Sequence, residues 1–310
     1  MKKLSLLGVI LTLSAAFLWG TAGTAQSFVN GATSPYWIGA FRLIIACLFF
    51  HLLFFYRRQK ETNLPTEPLS HIDVSASSRT LYWSCIAITG FCMGIYNLTF
   101  FAGIKATGIA IGTATTIGSA PIWAGILQAI TTRKAPAKLW WLGTLCATIG
   151  GVWMVLLQSS TWHIDISGLF ICLMAGFCYA LYTLVSKRLS AIAPPLMITK
   201  HTFSLAIFIA VPVAGLMAGM PTFSLTSVIV ILYLGIFTTG VAYLLYAHAL
   251  KHISAPTGVA LSLIEPIVAF MLAIVVAHEA VNEWAIVGLF LILVGLWLVL
   301  RSERLQKATA

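Results

Sequence analysis

Residues 111–127 read IGTATTIGSAPIWAGIL and residues 259–272 read VALSLIEPIVAFML, which is nearly the same apolar segment twice. A shift of 145 residues superimposes Pro121 on Pro266. The same shift pairs Gly143 with Gly288 and Gly150 with Gly295; a shift of 146 pairs Phe91 with Phe237, Gly94 with Gly240 and Lys105 with Lys251; and a shift of 160 pairs Gly8 with Gly168, Phe17 with Phe177 and Pro35 with Pro195. These matches indicate a tandem duplication of one long unit.

The composition predicts a membrane protein built from helices. Apolar residues make up 60% of the chain and charged residues 8%, and the mean hydropathy is +0.97. Soluble domains carry about 25% charged residues. We predict ten transmembrane helices, at about 4–26, 35–55, 81–102, 107–130, 139–157, 166–186, 194–217, 226–249, 255–277 and 284–300. Each is long enough to cross a hydrocarbon core of roughly 30 Å, so the fold class is all-α and polytopic.

The chain has a net charge of +10. The positions of its basic residues indicate the topology in the membrane rather than a nucleic-acid-binding site. Of the 18 basic residues, 15 lie before or after spans on one side, and the loops on the other side contain only Lys105. The positive-inside bias therefore predicts that both termini are cytoplasmic. Because each half has an odd number of spans, equivalent helices must cross in opposite directions, as in the inverted repeats of secondary transporters.

The predicted halves are 1–157 with spans 1–5 and 158–310 with spans 6–10 and a short cytoplasmic tail. A polar segment at about 56–80, with Pro65 and Pro68, is predicted to be a flexible cytoplasmic connection in the first half. Lys2 and Lys3 precede an apolar run too long for a signal-peptide core, which predicts a retained first span. All six cysteines lie within spans without CxxC spacing, which favours apolar packing.

Pro121 and Pro266 are predicted to break spans four and nine near the middle of the membrane. A helix-interior proline removes one backbone hydrogen bond, and carbonyls freed in lipid need another partner. Small or polar residues flank both prolines, including Thr116 and Ser119 in one half and Ser262 in the other. The two interpretations are a kink packed by small residues and a break that lines a cavity.

At these motifs the chain resembles the drug/metabolite transporter superfamily, in its ten-helix EamA type with two EamA repeats. The second repeat carries Ala249–Ala255, Ser262–Pro266, His278-Glu279, Gly288 and Gly295, and the first carries Leu18-Trp19-Gly20, Phe41-Arg42, Gly103–Thr107 and Ala120-Pro121. The resemblance implies a transporter of small metabolites, often an exporter of amino acids across the bacterial inner membrane. It also implies a central cavity between spans one, three, four, six, eight and nine.

The two repeats are chemically unequal, which predicts an asymmetric binding site. Ala120 stands where the second repeat has Glu265, and Lys134 stands where it has Glu279. Glu265 lies in the middle of span nine, where burial disfavours the charged form of a carboxyl. It is therefore a candidate for proton coupling or amine binding, and the alternative is a hydrogen-bonded group that ties span nine to its neighbours.

Two other charged residues lie inside predicted spans. Arg42 could bind a substrate carboxylate, but the family's cavity does not include span two, which favours a structural role. Lys200 lies near the cytoplasmic end of span seven and is predicted to be an anchor that extends to the interface.

Aromatic side chains on the expected cavity helices form the other candidate set. Rings that face a cavity bind apolar or cationic parts of a substrate, and tyrosine hydroxyls orient it; the alternative is an interfacial anchor. The predicted substrate-binding residues are Trp19, Tyr96, Asn97, Thr116, Ser119, Tyr179, Tyr182, Tyr243, Tyr246, Ser262 and Glu265.

The sequence favours a secondary transporter over an enzyme. Asp73 and Asp165 lie in predicted loops, so no intramembrane aspartate pair is available, and neither a GxSxG nucleophile motif nor a Walker loop is present. His248 and His252 lack further ligands, so we expect neither a metal nor a cofactor. The expected partners are a small-molecule substrate and the lipid bilayer. Amino-acid export is the main prediction; transport of amines or quaternary ammonium compounds, or a membrane receptor or assembly factor without transport, are the alternatives.

Overall fold

A computed structural model of the chain describes residues 6–29, 33–61, 76–107, 109–157, 165–277 and 283–309, and helices account for nearly all of them. In chain order these are α1 (Leu6–Ser27), α2 (Pro35–Glu61), α3 (Ala76–Thr107), α4 (Ile109–Thr132), α5 (Lys138–Leu157), α6 (Ile166–Leu189), α7 (Pro195–Ala218), α8 (Leu225–Tyr233, Leu234–Val241 and Ala242–Ala249), α9 (Ala255–Leu261, Ser262–Ile264 and Glu265–Ala277) and α10 (Glu283–Thr309). The predicted all-helical fold is confirmed. Within the described ranges, nine of these helices are long and apolar enough to cross a membrane, and α4, with its threonines and Ser119, is the remaining one.

Two helices contain a change of helical type. In α8 the middle segment, Leu234–Val241, is a π-helix, and in α9 the residues Ser262–Ile264 form a 3-10 turn. Such irregular turns inside helices often mark functional sites. Both segments face the interior of the molecule, because Leu234, Thr238 and Leu263 are buried.

The contact between α5 and α10 establishes that the halves are inverted. A Cβ atom on Gly143 would lie 2.6 Å from the Gly295 carbonyl oxygen, and one on Gly150 would lie 2.6 Å from that of Gly288. The earlier residue of α5 therefore meets the later residue of α10, so these two equivalent helices are antiparallel. The contacts are also exchanged by the repeat, since Gly143 is equivalent to Gly288 and Gly150 to Gly295.

A second pair of contacts is also exchanged between the two halves by the repeat. A Cβ atom on Gly8 of α1 would lie 2.9 Å from the Ile253 side chain after α8, and one on Gly168 of α6 would lie 2.5 Å from the Thr107 side chain at the end of α3. These four residues are repeat equivalents in pairs. The two halves are therefore related by an approximate twofold axis, and they interlock because α1 packs on the second half and α6 on the first.

Polar side chains cap several helices at their amino ends. Asp165 accepts a hydrogen bond from the Ser167 backbone N–H at the start of α6, and the Ser224 hydroxyl accepts from Ser227 at the start of α8. At the start of α9 the Ser254 hydroxyl accepts from the Thr257 N–H. Another helix supports this cap: the Glu303 carboxylate of α10 accepts from the Ser254 N–H and from the Ser254 and Thr257 hydroxyls. These bonds satisfy donors that a helix leaves without internal partners.

Some predictions concern residues outside the described ranges. These are the basic pair Lys2 and Lys3, residues 62–75 of the predicted loop with Asp73, the boundary at 157/158, and the pair His278 and Glu279. The division at 157/158 and the cytoplasmic placement of the termini stay predictions.

Candidate functional site

A cavity of about 490 Å³ lies where the two halves meet. It is lined by Trp19, Ala22, Gly23, Gln26 and Ser27 of α1, Val29 and Thr33 after it, Pro35, Ile38 and Arg42 of α2, Tyr96, Phe100, Phe101 and Ile104 of α3, Thr113, Thr116, Ile117 and Ala120 of α4, Tyr179 of α6, Thr238 and Tyr243 of α8, and Ser262 and Glu265 of α9. All six expected helices contribute. The expectation that span two stays outside the cavity is wrong, since Ile38 and Arg42, one helical turn apart, both face it.

The cavity extends from the middle of α9 to one end of the helices. Its wall includes Gln26 near the end of α1, Thr33 before α2 and Ile104 near the end of α3. By the distribution of basic residues, this is the end predicted to lie outside the cell. Toward the opposite end the helices pack closely around buried aromatic side chains.

Arg42 brings a positive charge to the cavity. Its side chain is 9% exposed, and its Nε has no hydrogen-bond partner among the described residues. The guanidinium carbon lies 5.8 Å from the centroid of the Phe101 ring, within cation–π range. A buried charge without a hydrogen-bonding acceptor is costly, so this guanidinium is suited to an anionic group that enters the cavity.

Glu265 brings a carboxyl group to the same cavity. It follows the 3-10 turn of α9, in which the Ser262 hydroxyl donates to the Val259 carbonyl at 2.7 Å. The carboxylate forms no hydrogen bond or ion pair within the described part of the chain, and the Arg42 charge acts on it electrostatically from beyond ion-pair distance. The cavity therefore holds a guanidinium and a carboxyl group that are not bonded to each other.

Aromatic rings form the floor of the cavity. The ring of Trp19 lies 5.1 Å from that of Tyr243 and 6.1 Å from that of Tyr179, and Tyr96 lies 5.8 Å from Tyr179. These spacings are those of interacting aromatic pairs. The indole Nε1 of Trp19 has no partner in the described residues and is available as a donor. The floor thus offers apolar faces and one buried N–H group.

The structure separates the predicted site residues into two groups. Seven line the cavity: Trp19, Tyr96, Thr116, Tyr179, Tyr243, Ser262 and Glu265. Four do not. Tyr182 and Tyr246 lie behind the floor, where Tyr182 stacks on Tyr179 and the Tyr246 hydroxyl donates to Thr183 at 3.5 Å.

The other two residues outside the lining make structural bonds. The Asn97 amide donates to the Gly39 carbonyl at 3.0 Å and joins α3 to α2. The Ser119 hydroxyl donates to the Thr116 carbonyl, and it lies where a Cβ atom on Gly176 would collide with it. Ser119 therefore marks a close contact between α4 and α6.

The two prolines differ in their effect on the backbone. α9 changes to a 3-10 turn immediately before Glu265 and Pro266, whereas α4 continues as one α-helix through Pro121. The predicted helix break is therefore present at Pro266 and absent at Pro121. Hydroxyl groups stabilise α4 at this level, since Thr148 of α5 donates to the Gly118 carbonyl at 3.3 Å.

Sequence reasoning missed several cavity residues. Gln26, Thr33, Thr238 and the phenylalanines of α3 carry no motif. Arg42 did carry a signal, because an arginine in an apolar span is unusual. Within the described ranges, no group of three or more His, Cys, Asp or Glu residues could hold a metal ion.

Comparison with known proteins identifies the family. The EamA-like transporter family matches residues 6–157 and again residues 166–301. The chain belongs to this family. The EamA chain is therefore a multi-pass membrane transporter and not an enzyme, as predicted.

Individual relatives agree with this assignment. The chain is 32% identical over 298 residues to the transporter YwfM of Bacillus subtilis strain 168, covering 96% of this chain and 95% of that one. It is 24% identical over 304 residues to the threonine/homoserine exporter RhtA of Escherichia coli K12, covering 95% and 92%. A crystal structure that is 15% identical covers 97% of this chain and 98% of its own, with a TM-score of 0.77, and is similar in fold.

Proposed function

We propose that this EamA transporter exports amino acids across a bacterial inner membrane by alternating access. The observation that supports it most directly is that Arg42 and Glu265, which can carry opposite charges, line one cavity without a bond between them. A free α-amino acid carries the complementary pair of charges. The similarity to an amino-acid exporter is consistent with this substrate class.

In the proposed binding mode each charge of the substrate meets its opposite. The planar guanidinium of Arg42 suits a carboxylate, which it can bind through two parallel hydrogen bonds. The Glu265 carboxylate then accepts from the substrate ammonium. The volume of about 490 Å³ lies in the range of small-molecule sites and leaves room for a side chain beside Phe100 and Phe101.

Amines or quaternary ammonium compounds are the second candidate, favoured by the aromatic floor. Rings such as Trp19 and Tyr243 attract cations, and Glu265 would supply a counter-charge. Arg42 argues against this class, because a cation without a carboxylate would share the cavity with an unpaired guanidinium. The two candidates therefore differ in the role of Arg42.

Glu265 also supports a coupling role in the proposed cycle. A proton and a substrate ammonium cannot both occupy the same carboxylate, so uptake of one would favour release of the other. With the cavity facing the predicted outside, rocking of the two inverted halves would expose it to the cytoplasm. In this proposal both termini are cytoplasmic.

Transport in proteoliposomes tests the proposal. Liposomes that contain the purified protein are loaded with labelled amino acids, and efflux is measured with and without a pH gradient. We expect efflux of at least one small neutral amino acid, and we expect Glu265→Gln to abolish its response to the gradient. Lys105→Gln, which removes an exposed cation at the end of α3, serves as the control and should transport normally. Absence of flux across a broad panel of amino acids would refute the substrate class.

A further inference from the structure

A cluster of basic side chains lies outside the cavity, on the surface formed by α2 and α7. His51 and Arg58 of α2 and Lys200 and His201 of α7 are close enough to influence one another's charge. We call these four residues the basic groove. None of the four lines the central cavity.

Lys200 has no acidic partner that would explain its position. Its Nζ lies 3.8 Å from the centroid of the Phe54 ring, and within the described residues no carboxylate forms an ion pair with it. His51 is exposed, and its Nδ1 lies 2.9 Å from the Cys47 carbonyl of its own helix, which leaves Nε2 as the other ring nitrogen. Lys200 can therefore donate hydrogen bonds to a molecule outside the protein. The Cys47 carbonyl takes the Nδ1–H of His51, so the Nε2 of that ring donates as well only when the ring is an imidazolium.

The fourth side chain is held in place by α3. The His201 Nδ1 lies 2.7 Å from the Tyr82 hydroxyl, and its ring lies 5.1 Å from that of Trp83. Trp83 is 49% exposed, as is usual for a tryptophan at a membrane interface. The basic groove is thus bordered by a fixed imidazole and an interfacial indole rather than by mobile side chains alone.

Lys200 lies near the end of α7 that is predicted to be cytoplasmic. α7 begins at Pro195, so the Cα of Lys200 lies about 7–8 Å along the helix from its end. Exposed apolar side chains lie along the same two helices: Leu48 and Leu52 flank His51 on α2, and Phe208 lies about two turns after Lys200 on α7, each more than half exposed. The surface therefore combines basic side chains with exposed apolar side chains on α2 and α7.

From this arrangement we propose that the basic groove binds the phosphate headgroup of an anionic phospholipid. The phosphate contacts Lys200, His51 and Arg58, and the acyl chains lie along the exposed apolar residues of α2 and α7. Basic pockets between transmembrane helices on the cytoplasmic side are suited to such headgroups. This site is independent of the substrate proposed for the cavity.

Native mass spectrometry of the detergent-purified protein tests the site. The full chain is equilibrated with phosphatidylglycerol or phosphatidylcholine, and the fraction that retains one lipid is measured. We expect the wild type to retain phosphatidylglycerol preferentially, and each of Lys200→Gln and His51→Gln to reduce this retention roughly fivefold. Lys251→Gln, which removes an exposed cation outside the groove, should leave retention unchanged, and Lys200→Arg should restore most of it.

Two results would overturn the proposal. Equal retention of the two lipids by the wild type would show that the groove has no preference for an anionic headgroup. Binding of inorganic phosphate with the same sensitivity to Lys200→Gln, without lipid retention, would assign the groove to a soluble anion. Thermal unfolding in phosphatidylcholine identifies any variant that is merely misfolded, and Lys200→Arg then carries the test.

Discussion

At the scale of single residues, the cavity is defined by a few side chains whose roles depend on whether they face it. Tyr179 and Tyr182 are three residues apart, as are Tyr243 and Tyr246, so a helical pattern predicts that each pair shares a face. The structure places one member of each pair on the cavity floor and the other a turn behind it. Sequence periodicity predicts which side of a helix carries these tyrosines. It does not predict where the cavity ends, because that depends on the packing of Trp19 against several helices.

Arg42 illustrates a second limit of the sequence. Its charge marked it as unusual, but the side of α2 that faces the cavity depends on α8. A Cβ atom on Gly235, in the π-helical segment of α8, would lie 3.2 Å from the Arg42 carbonyl oxygen. The two helices can approach this closely because Gly235 has no side chain. The sequence of α2 alone gives no sign of this contact.

Gly23 gives a prediction about substrate size. It lines the cavity, and a Cβ atom added there would meet nothing within 4 Å. Gly23→Leu should therefore fold normally and reduce the space for substrates. We expect transport of large amino acids to fall at least tenfold while transport of small ones is largely retained, as measured by counterflow in proteoliposomes.

Gly215 of α7 supplies the matched control, because its added Cβ would also meet nothing within 4 Å and it lies outside the cavity lining. Gly215→Leu should transport both sizes like the wild type. If Gly23→Leu has the same selectivity as the wild type, the cavity is not the substrate site.

At the scale of elements, the repeated glycines explain how α5 and α10 pack. Gly143, Gly150, Gly288 and Gly295 allow two antiparallel backbones to approach closely, as small residues do in membrane helix pairs. The duplication and the odd number of spans were enough to predict that α5 and α10 are antiparallel, but not that they pack against each other. The π-helical segment of α8 and the uninterrupted α4 could not be predicted, because each depends on contacts with helices distant in sequence.

The packing of α5 on α10 leads to a stability prediction. Gly150→Ala places a Cβ atom 2.6 Å from the Gly288 carbonyl oxygen, so the helices must separate. We expect a loss of about 1–3 kcal/mol of stability and a lower melting temperature in detergent. Gly215→Ala adds the same atom in open space and should be neutral or stabilising, since alanine favours helices. Equal melting temperatures for the two variants would contradict the proposed packing.

The cap that Glu303 provides for α9 gives another prediction. Its carboxylate is 4% exposed and accepts hydrogen bonds from the Ser254 hydroxyl at 2.7 Å and the Ser254 N–H at 3.2 Å. Glu303→Ala leaves these donors without their acceptor and should cost about 1.5–3 kcal/mol. Thermal unfolding measures the loss, and Arg304→Ala at the exposed neighbouring position should change the midpoint little. An unchanged midpoint for Glu303→Ala would mean that water caps α9 equally well.

At the scale of the whole molecule, the two halves share a fold but not a chemistry. The repeat supplies the inverted architecture. The cavity between the halves takes the carboxyl group of Glu265 from the second half and the guanidinium of Arg42 from the first. Ala120 lines the same cavity without a charge at the position equivalent to Glu265. Duplication thus accounts for the symmetric frame, and divergence between the repeats makes the cavity chemically asymmetric.

The central claim is that Arg42 binds the carboxylate of a zwitterionic substrate. A hydrogen bond to a charged group contributes about 1.5–3 kcal/mol. Converted to an equilibrium constant, this loss predicts that Arg42→Gln weakens transport of an amino acid by roughly 10- to 150-fold. Transport of the corresponding amine, which lacks the carboxylate, should change little.

The most direct test combines this variant with this pair of substrates. Counterflow is measured for the wild type and Arg42→Gln, each with an exported amino acid and with its decarboxylated amine. The account predicts that the wild type prefers the amino acid and that Arg42→Gln loses this preference. A preference of the same size in both proteins would contradict the assignment of the carboxylate to Arg42.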